Sequence, residues 1–159
     1  MQRPSRSYTG PFPGAARDQA HPAKGKLLII DDDRSFVALA ATILRDAGYL
    51  VLEAYDAAQG FMFASHEPPD LFLVDMLMPA GGGMNVLERV RHNERLAKVP
   101  IIVVTASTDE GLEAKVKAKG ADHLLQKPLD RDSLLSLVAE ALAPSGKPQP
   151  LRTYRPKPQ

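Results

Sequence analysis

Cysteine is absent from this 159-residue chain, so disulfides, thiolate zinc sites and cysteine nucleophiles are excluded. The four histidines, His21, His66, His92 and His123, stand too far apart in sequence for a typical metal motif and read as surface or partly buried side chains. No apolar stretch approaches the length of a membrane span, and the start of the chain lacks the apolar core of a signal peptide. A cytoplasmic protein with no membrane segment is therefore expected. No unit of 20 to 50 residues recurs, which excludes a solenoid.

What is present suits one domain. With 44% apolar and 25% charged residues the chain can bury a full core, and it is too short for two ordinary domains. The net charge of +1 conceals a division: residues 1–26 and 144–159 carry four net positive charges each, which leaves −7 on residues 27–143. Both ends are also rich in Pro, Gly and Ser and poor in branched apolar residues, so they cannot bury enough surface to offset the entropy of ordering. This predicts disordered basic tails over 1–25 and 144–159 around an acidic domain at 26–143. The tails carry no recognisable motif, which favours solvated segments over anchors for an acidic partner, nucleic acid or membrane surface.

Within the domain, short runs rich in Val, Ile and Leu near 27–31, 50–54, 71–75, 101–105 and 122–126 read as strands buried on both faces of a parallel sheet. Helix-length segments near 34–47, 57–65, 84–95, 109–119 and 131–142 separate them. Gly48 and Gly120 fall where left-handed helix caps are expected, and Asp109 and Asp130 stand at plausible helix starts. Five βα units with right-handed crossovers make an open three-layer α/β sandwich, whereas a closed eight-stranded barrel would need a longer chain.

Four of these strands end on polar residues, and ligands in such sheets bind beyond the carboxyl ends of the strands. The runs lead into Asp31-Asp32-Asp33, Asp75, Thr105 and Lys127-Pro128. Carboxylates this close repel unless a cation intervenes, and hard oxygen donors suit magnesium better than zinc. A metal there would offset the charge of an incoming phosphoryl group and leave Asp75 free as nucleophile, with Lys127 and the Thr105 hydroxyl contacting phosphate oxygens. Each residue has a plainer reading. The acidic triplet could cap the first helix, Asp75 could end a strand, Thr105 could cap the fourth helix, and Lys127 could be an exposed lysine before a proline. Their succession at strand ends, in this order, favours an aspartyl-phosphate site.

The segments Leu28-Ile29-Ile30-Asp31-Asp32-Asp33, Asp70 to Pro79, Pro100 to Ala106 and Gly120 to Pro128 resemble the signature segments of the receiver domain of bacterial two-component response regulators. The resemblance covers residues 26–143. It implies a flavodoxin-like (βα)5 sheet of order 2-1-3-4-5 and phosphoryl transfer to Asp75 from a histidine kinase or histidine phosphotransfer protein. It also implies magnesium held by Asp31, Asp32, Asp75 and the main-chain carbonyl of Leu77, phosphate contacts from Thr105 and Lys127, and a cis Lys127-Pro128 bond. Gly83 matches the family's loop glycine.

The chain departs from the family in three places. Leu124 stands where receivers commonly carry Tyr or Phe, the loop after Pro79 reads Ala80-Gly81-Gly82-Gly83, and no output domain follows residue 143. The expectation is a single-domain response regulator with no DNA-binding domain, monomeric or weakly dimeric on phosphorylation. It would act on an unidentified downstream protein by docking or by onward phosphotransfer, and would catalyse only its own phosphorylation and dephosphorylation. Two other classes remain. A haloacid-dehalogenase-like phosphatase would place a second Asp two residues after the nucleophile, where Leu77 sits. A receiver-like scaffold would bind its partner without phosphorylation. The first helix, with Phe36, Val37, Leu39, Ala40, Ile43 and Leu44, is more apolar than one buried stripe requires. It reads either as a docking surface or as a helix packed on both flanks. With leucine at position 124, a Thr105 movement is expected to be read through Ala106-Ser107-Thr108-Asp109; otherwise Leu124 is simply core.

Overall fold

Each apolar run sends alternate side chains to opposite sides of one parallel sheet, so both sides of every run are buried. The computed structural model describes residues 23–79, 82–144 and 150–157. The strands are β1 (Lys26–Ile30), β2 (Leu50–Ala54), β3 (Leu71–Asp75), β4 (Ile101–Thr105), β5 (His123–Gln126) and β6 (Arg152–Tyr154). The helices are α1 (Arg34–Asp46), α2 (Ala57–His66), α3 (Gly82–His92), α4 (Leu112–Ala118) and α5 (Arg131–Leu142). The strands pair in parallel in the order β2-β1-β3-β4-β5-β6.

Two buried clusters follow from the alternation. Leu28, Ile30, Phe72, Val74, Ile101, Val103 and Leu124 face α2, α3 and α4, packing against Phe63, Val86, Leu87 and Val116. Leu27, Ile29, Leu71, Leu73, Ile102, Val104 and Leu125 face α1 and α5, packing against Val37, Ala40, Leu44, Leu134 and Val138. The flavodoxin-like three-layer sandwich read from the sequence is thus present, with the five expected strands in the expected order.

The C-terminal segment corrects the sequence reading. Arg152–Tyr154, assigned there to a disordered tail, forms a sixth strand beside β5. Without it β5 would be an edge with unpaired backbone groups. Leu151 packs into one core cluster and Tyr154 into the other, which the average composition of the tail conceals. The Arg152 N–H donates to His123 Nδ1 at 3.3 Å, and the Arg152 guanidinium pairs with Glu140 on α5. His123 is therefore buried, and burial lowers its pKa. The rest of the expected tails, residues 1–22, 145–149 and 158–159, lies outside the described residues.

Helix ends differ from expectation in ways the hydrogen bonds explain. Gly48 and Gly120 have φ of 99° and 94°, as their expected capping roles require. Asp33, Asp56 and Asp130 cap α1, α2 and α5 through their carboxylates. Asp109 does not start α4: it accepts the Gly111 N–H in a turn, and the helix begins at Leu112. Gly82 and Gly83, read as loop, form the first turn of α3. On α1 the apolar excess is mostly packed: Phe36, Val37, Ala40 and Leu44 are buried, Ile43 packs against the core, and Leu39 alone of the six is well exposed, at 52%.

Arg91 ties the far end of the sheet together. Its guanidinium donates to the carbonyls of Ala97, Val99 and Gly120 and to Asp122, whose Oδ2 also accepts the Ile101 N–H. One side chain thus joins α3, the loop before β4 and the loop before β5. Replacing Arg91 by Met strands those carbonyls. The loss of unfolding free energy is expected to be about 2–4 kcal/mol, read as an earlier urea midpoint; an unchanged midpoint would show the clamp to be redundant.

Candidate functional site

The carboxyl ends of β1, β3, β4 and β5 place the sequence-derived residues around one pocket. Asp31 and Asp32 follow β1, Asp75 ends β3, Thr105 ends β4 and Lys127 follows β5. Carboxylate oxygens of Asp31, Asp32 and Asp75 lie within 4.8 Å of one another. Asp31 is 1% exposed and Asp75 is also buried, whereas Asp32 opens to solvent. The plainer reading of the acidic triplet holds for its last member only: Asp33 caps α1, accepting the Ser35 and Phe36 N–H groups at 3.1 Å.

Local hydrogen bonds orient the cluster. Asp31 Oδ1 accepts the Asp33 N–H at 2.9 Å, and Asp75 Oδ1 accepts the Leu77 N–H at 3.1 Å. The second bond fixes the backbone at Leu77, whose side chain is 57% exposed. Lys127 Nζ sits 2.9 Å from Asp31 Oδ2, on a side chain 16% exposed. Asp31 Oδ2 nevertheless accepts no hydrogen bond, so the contact is an ion pair of poor directionality. The Lys127-Pro128 peptide is cis, as the resemblance implied. Gly83 presses on the floor of the site: a Cβ there would stand 2.5 Å from the Asp75 carbonyl oxygen and 2.6 Å from Met76 Cα. Only glycine fits without displacing the backbone that carries Asp75.

Thr105 is buried, and its Oγ1 accepts the Ser107 N–H at 3.0 Å. Ser107 Oγ in turn accepts the Asp109 N–H at 3.1 Å, and Asp109 Oδ1 accepts the Gly111 N–H at 2.9 Å. A run of side chain to backbone bonds thus leads from the Thr105 hydroxyl to the residue before α4. Gln126 Nε2 reaches the Ser107 carbonyl at 3.3 Å and ties the same loop to β5. Leu124 is buried between β4 and β6.

The pocket fits a divalent cation. Asp31 Oδ2 is a buried acceptor without a hydrogen bond, and the donors are hard oxygens of the kind magnesium takes. Burial raises the Asp75 pKa from 3.8 to about 6; the Leu77 N–H opposes the rise, Asp31 adds to it and Lys127 offsets part of it. A bound cation would offset both the burial and the neighbouring Asp31 charge and hold Asp75 ionised.

Sequence and structure comparisons meet these observations. Residues 27–139 match the family model described as the response regulator receiver domain. The chain belongs to the response regulator receiver family. It is 35% identical over 119 residues to RpaA of Synechocystis, described as a DNA-binding dual master transcriptional regulator, covering 74% of this chain and 48% of that protein. It is 30% identical over 118 residues to PilH of Pseudomonas aeruginosa, covering 74% of this chain and 98% of that protein. The chain thus spans about half the length of RpaA and nearly all of PilH. Among solved structures, the chemotaxis protein CheY4 of Vibrio cholerae matches with a TM-score of 0.72 and 30% identity, over 76% of this chain and 100% of that one. Receivers are phosphoacceptor domains of two-component signalling that bind magnesium in an acidic pocket, and the Asp31, Asp32 and Asp75 cluster is a set able to hold a metal. Among the described residues no helix is long and apolar enough to cross a membrane.

Two side chains that brace the site residues have contacts the sequence did not reveal. Phe36 lies under the Lys127 ammonium, 4.3 Å from nitrogen to ring centroid, where the sequence showed only an apolar helix residue. Gln126 is the other; a polar residue ending an apolar run was its only signal.

The raised Asp75 pKa sets a pH dependence. A carboxyl that holds its proton more tightly when folded stabilises the fold below its unfolded pKa, and loses that contribution as pH rises through its folded value. In metal-free buffer, native stability should fall by on the order of 2 kcal/mol relative to Asp75→Asn between about pH 4 and pH 7. Parallel pH profiles of native and variant chains would reject the shift.

Proposed function

We propose that this receiver accepts a phosphoryl group on Asp75 in a magnesium-dependent reaction, from a histidine kinase or histidine phosphotransfer protein. The observation that carries the reading is the convergence of three carboxylates within 4.8 Å beside the Lys127 ammonium. A carboxylate oxygen of Asp75 attacks phosphorus, the bond from phosphorus to the donor's imidazole nitrogen breaks, and an acyl phosphate forms on Asp75. Asp31, Asp32, Asp75 and the Leu77 carbonyl would hold the magnesium, which when bound neutralises charge on the transferring group. Lys127 supplies a cation to one phosphate oxygen and the Thr105 hydroxyl donates to another.

Thr105 would carry the signal outward. Its hydroxyl, turning to a phosphate oxygen, pulls on the Ser107 N–H and so on the run of bonds that ends before α4. With Leu124 buried and lacking a polar tip, that loop is the more direct route than a swing of the β5 side chain. The output is docking to a downstream protein or onward phosphotransfer, in a cytoplasmic monomer or weak phosphorylation-dependent dimer. No activity beyond its own phosphorylation and dephosphorylation is assigned.

Incubation with acetyl phosphate and magnesium should add the mass of one phosphoryl group. Asp75→Asn should abolish the addition, and Asp32→Ala should lower it at least tenfold together with its magnesium dependence. Amide exchange should change in residues 105–112 on labelling. An unlabelled native chain would favour a scaffold that works without phosphorylation, and labelling undiminished in Asp75→Asn would move the acceptor elsewhere.

A further inference from the structure

Lys127 has a second partner that its expected role does not explain. We propose that Phe36 is a positioning residue for Lys127: its ring face seats the ammonium over the carboxylate pocket and keeps it there when Asp31 engages another cation. The inference rests on the phosphoacceptor reading of the pocket.

Three observations carry it. Lys127 Nζ stands 4.3 Å from the centroid of the Phe36 ring, within the range of a cation–π contact. The ring is 8% exposed and the lysine side chain 16%, so the contact is largely shielded from water, where such pairs are strongest. The other anchor of the ammonium, Asp31 Oδ2, accepts no hydrogen bond from it, so the ion pair fixes distance without fixing direction.

A lysine head on a flexible stem needs a second bearing to be aimed, and the ring is that bearing. Phe36 is itself held in place, since its N–H donates to the carboxylate of Asp33, two residues beyond Asp31. The other cation–ring pairs among the described residues, Lys24 with Tyr49, Arg34 with Tyr55 and Arg89 with Phe61, each use an exposed cation. A cation that takes over Asp31 removes the lysine's anion. The ring then remains the contact that prevents the ammonium from swinging to solvent.

The alternative is that Phe36 only fills core volume, and a double-substitution cycle separates the two. In the full chain, Phe36→Leu keeps an apolar side chain and removes the ring face, while Phe36→Tyr keeps the ring. The Lys127 methylene protons next to the nitrogen should show an upfield ring-current shift, with and without magnesium. Phe36→Leu should abolish the shift and Phe36→Tyr should retain it. Labelling by acetyl phosphate should slow about tenfold in Phe36→Leu and recover in Phe36→Tyr. In a Lys127→Ala background the Phe36→Leu change should cost nothing further. An unshifted lysine signal, or equal losses from Phe36→Leu with and without Lys127, would overturn the proposal. If the native chain is not labelled at all, the phosphoacceptor reading fails, and the Lys127 shift alone decides the seat.

Discussion

Mutual repulsion among Asp31, Asp32 and Asp75 is the constraint around which the rest of this receiver is arranged. Carboxylates within 4.8 Å of one another, two of them buried, raise the energy of the folded state unless something of opposite charge is near. Lys127 supplies part of that charge; burial is the main reason the Asp75 pKa is raised, and the charge of Asp31 adds to it. The folded chain tolerates this because two packed clusters, one on each side of the sheet, hold the strand ends regardless of what the pocket contains. Strain at one end of a parallel sheet is the ordinary sign of a functional site.

The surrounding elements serve that pocket in separate ways. Asp33 spends its carboxylate on the α1 cap and so fixes the turn in which Asp31 and Asp32 lie. Gly83 lets α3 approach the β3 end closely enough to close the floor under Asp75. The loop from Thr105 to Gly111 stores three side chain to backbone bonds that depend on the Thr105 oxygen staying where it is. At the opposite end Arg91 and Asp122 secure the connections into β4 and β5, so the strands that carry Thr105 and Lys127 enter the sheet in fixed register.

Most of the site could be read in the sequence because its chemistry demands particular residue types at particular strand ends. Asp75 after Leu71-Phe72-Leu73-Val74 and Lys127 after Leu124-Leu125-Gln126 are weak signals singly, and their succession at neighbouring strand ends is what places them at one pocket. The sheet was equally legible, since continuous apolar runs separated by helix-length segments mean parallel strands. What stayed hidden was decided by tertiary context. Three residues inside a proline-rich basic tail become β6 because β5 offers a free edge and two core clusters accept Leu151 and Tyr154. Asp109 looked like a helix cap, yet its carboxylate closes a turn first. The Arg91 clamp and the contact of Phe36 with Lys127 carry no signal in sequence, because the partners lie far away along the chain.

Thermal or chemical unfolding with and without magnesium reads how far a cation stabilises the crowded carboxylates of the pocket, two of them buried. At pH 7, magnesium at tens of times its dissociation constant should raise the unfolding free energy of the native chain by about 2 kcal/mol. The gain should vanish when Asp32 is replaced by alanine. A native chain indifferent to magnesium, or an equal gain in Asp32→Ala, would contradict the account.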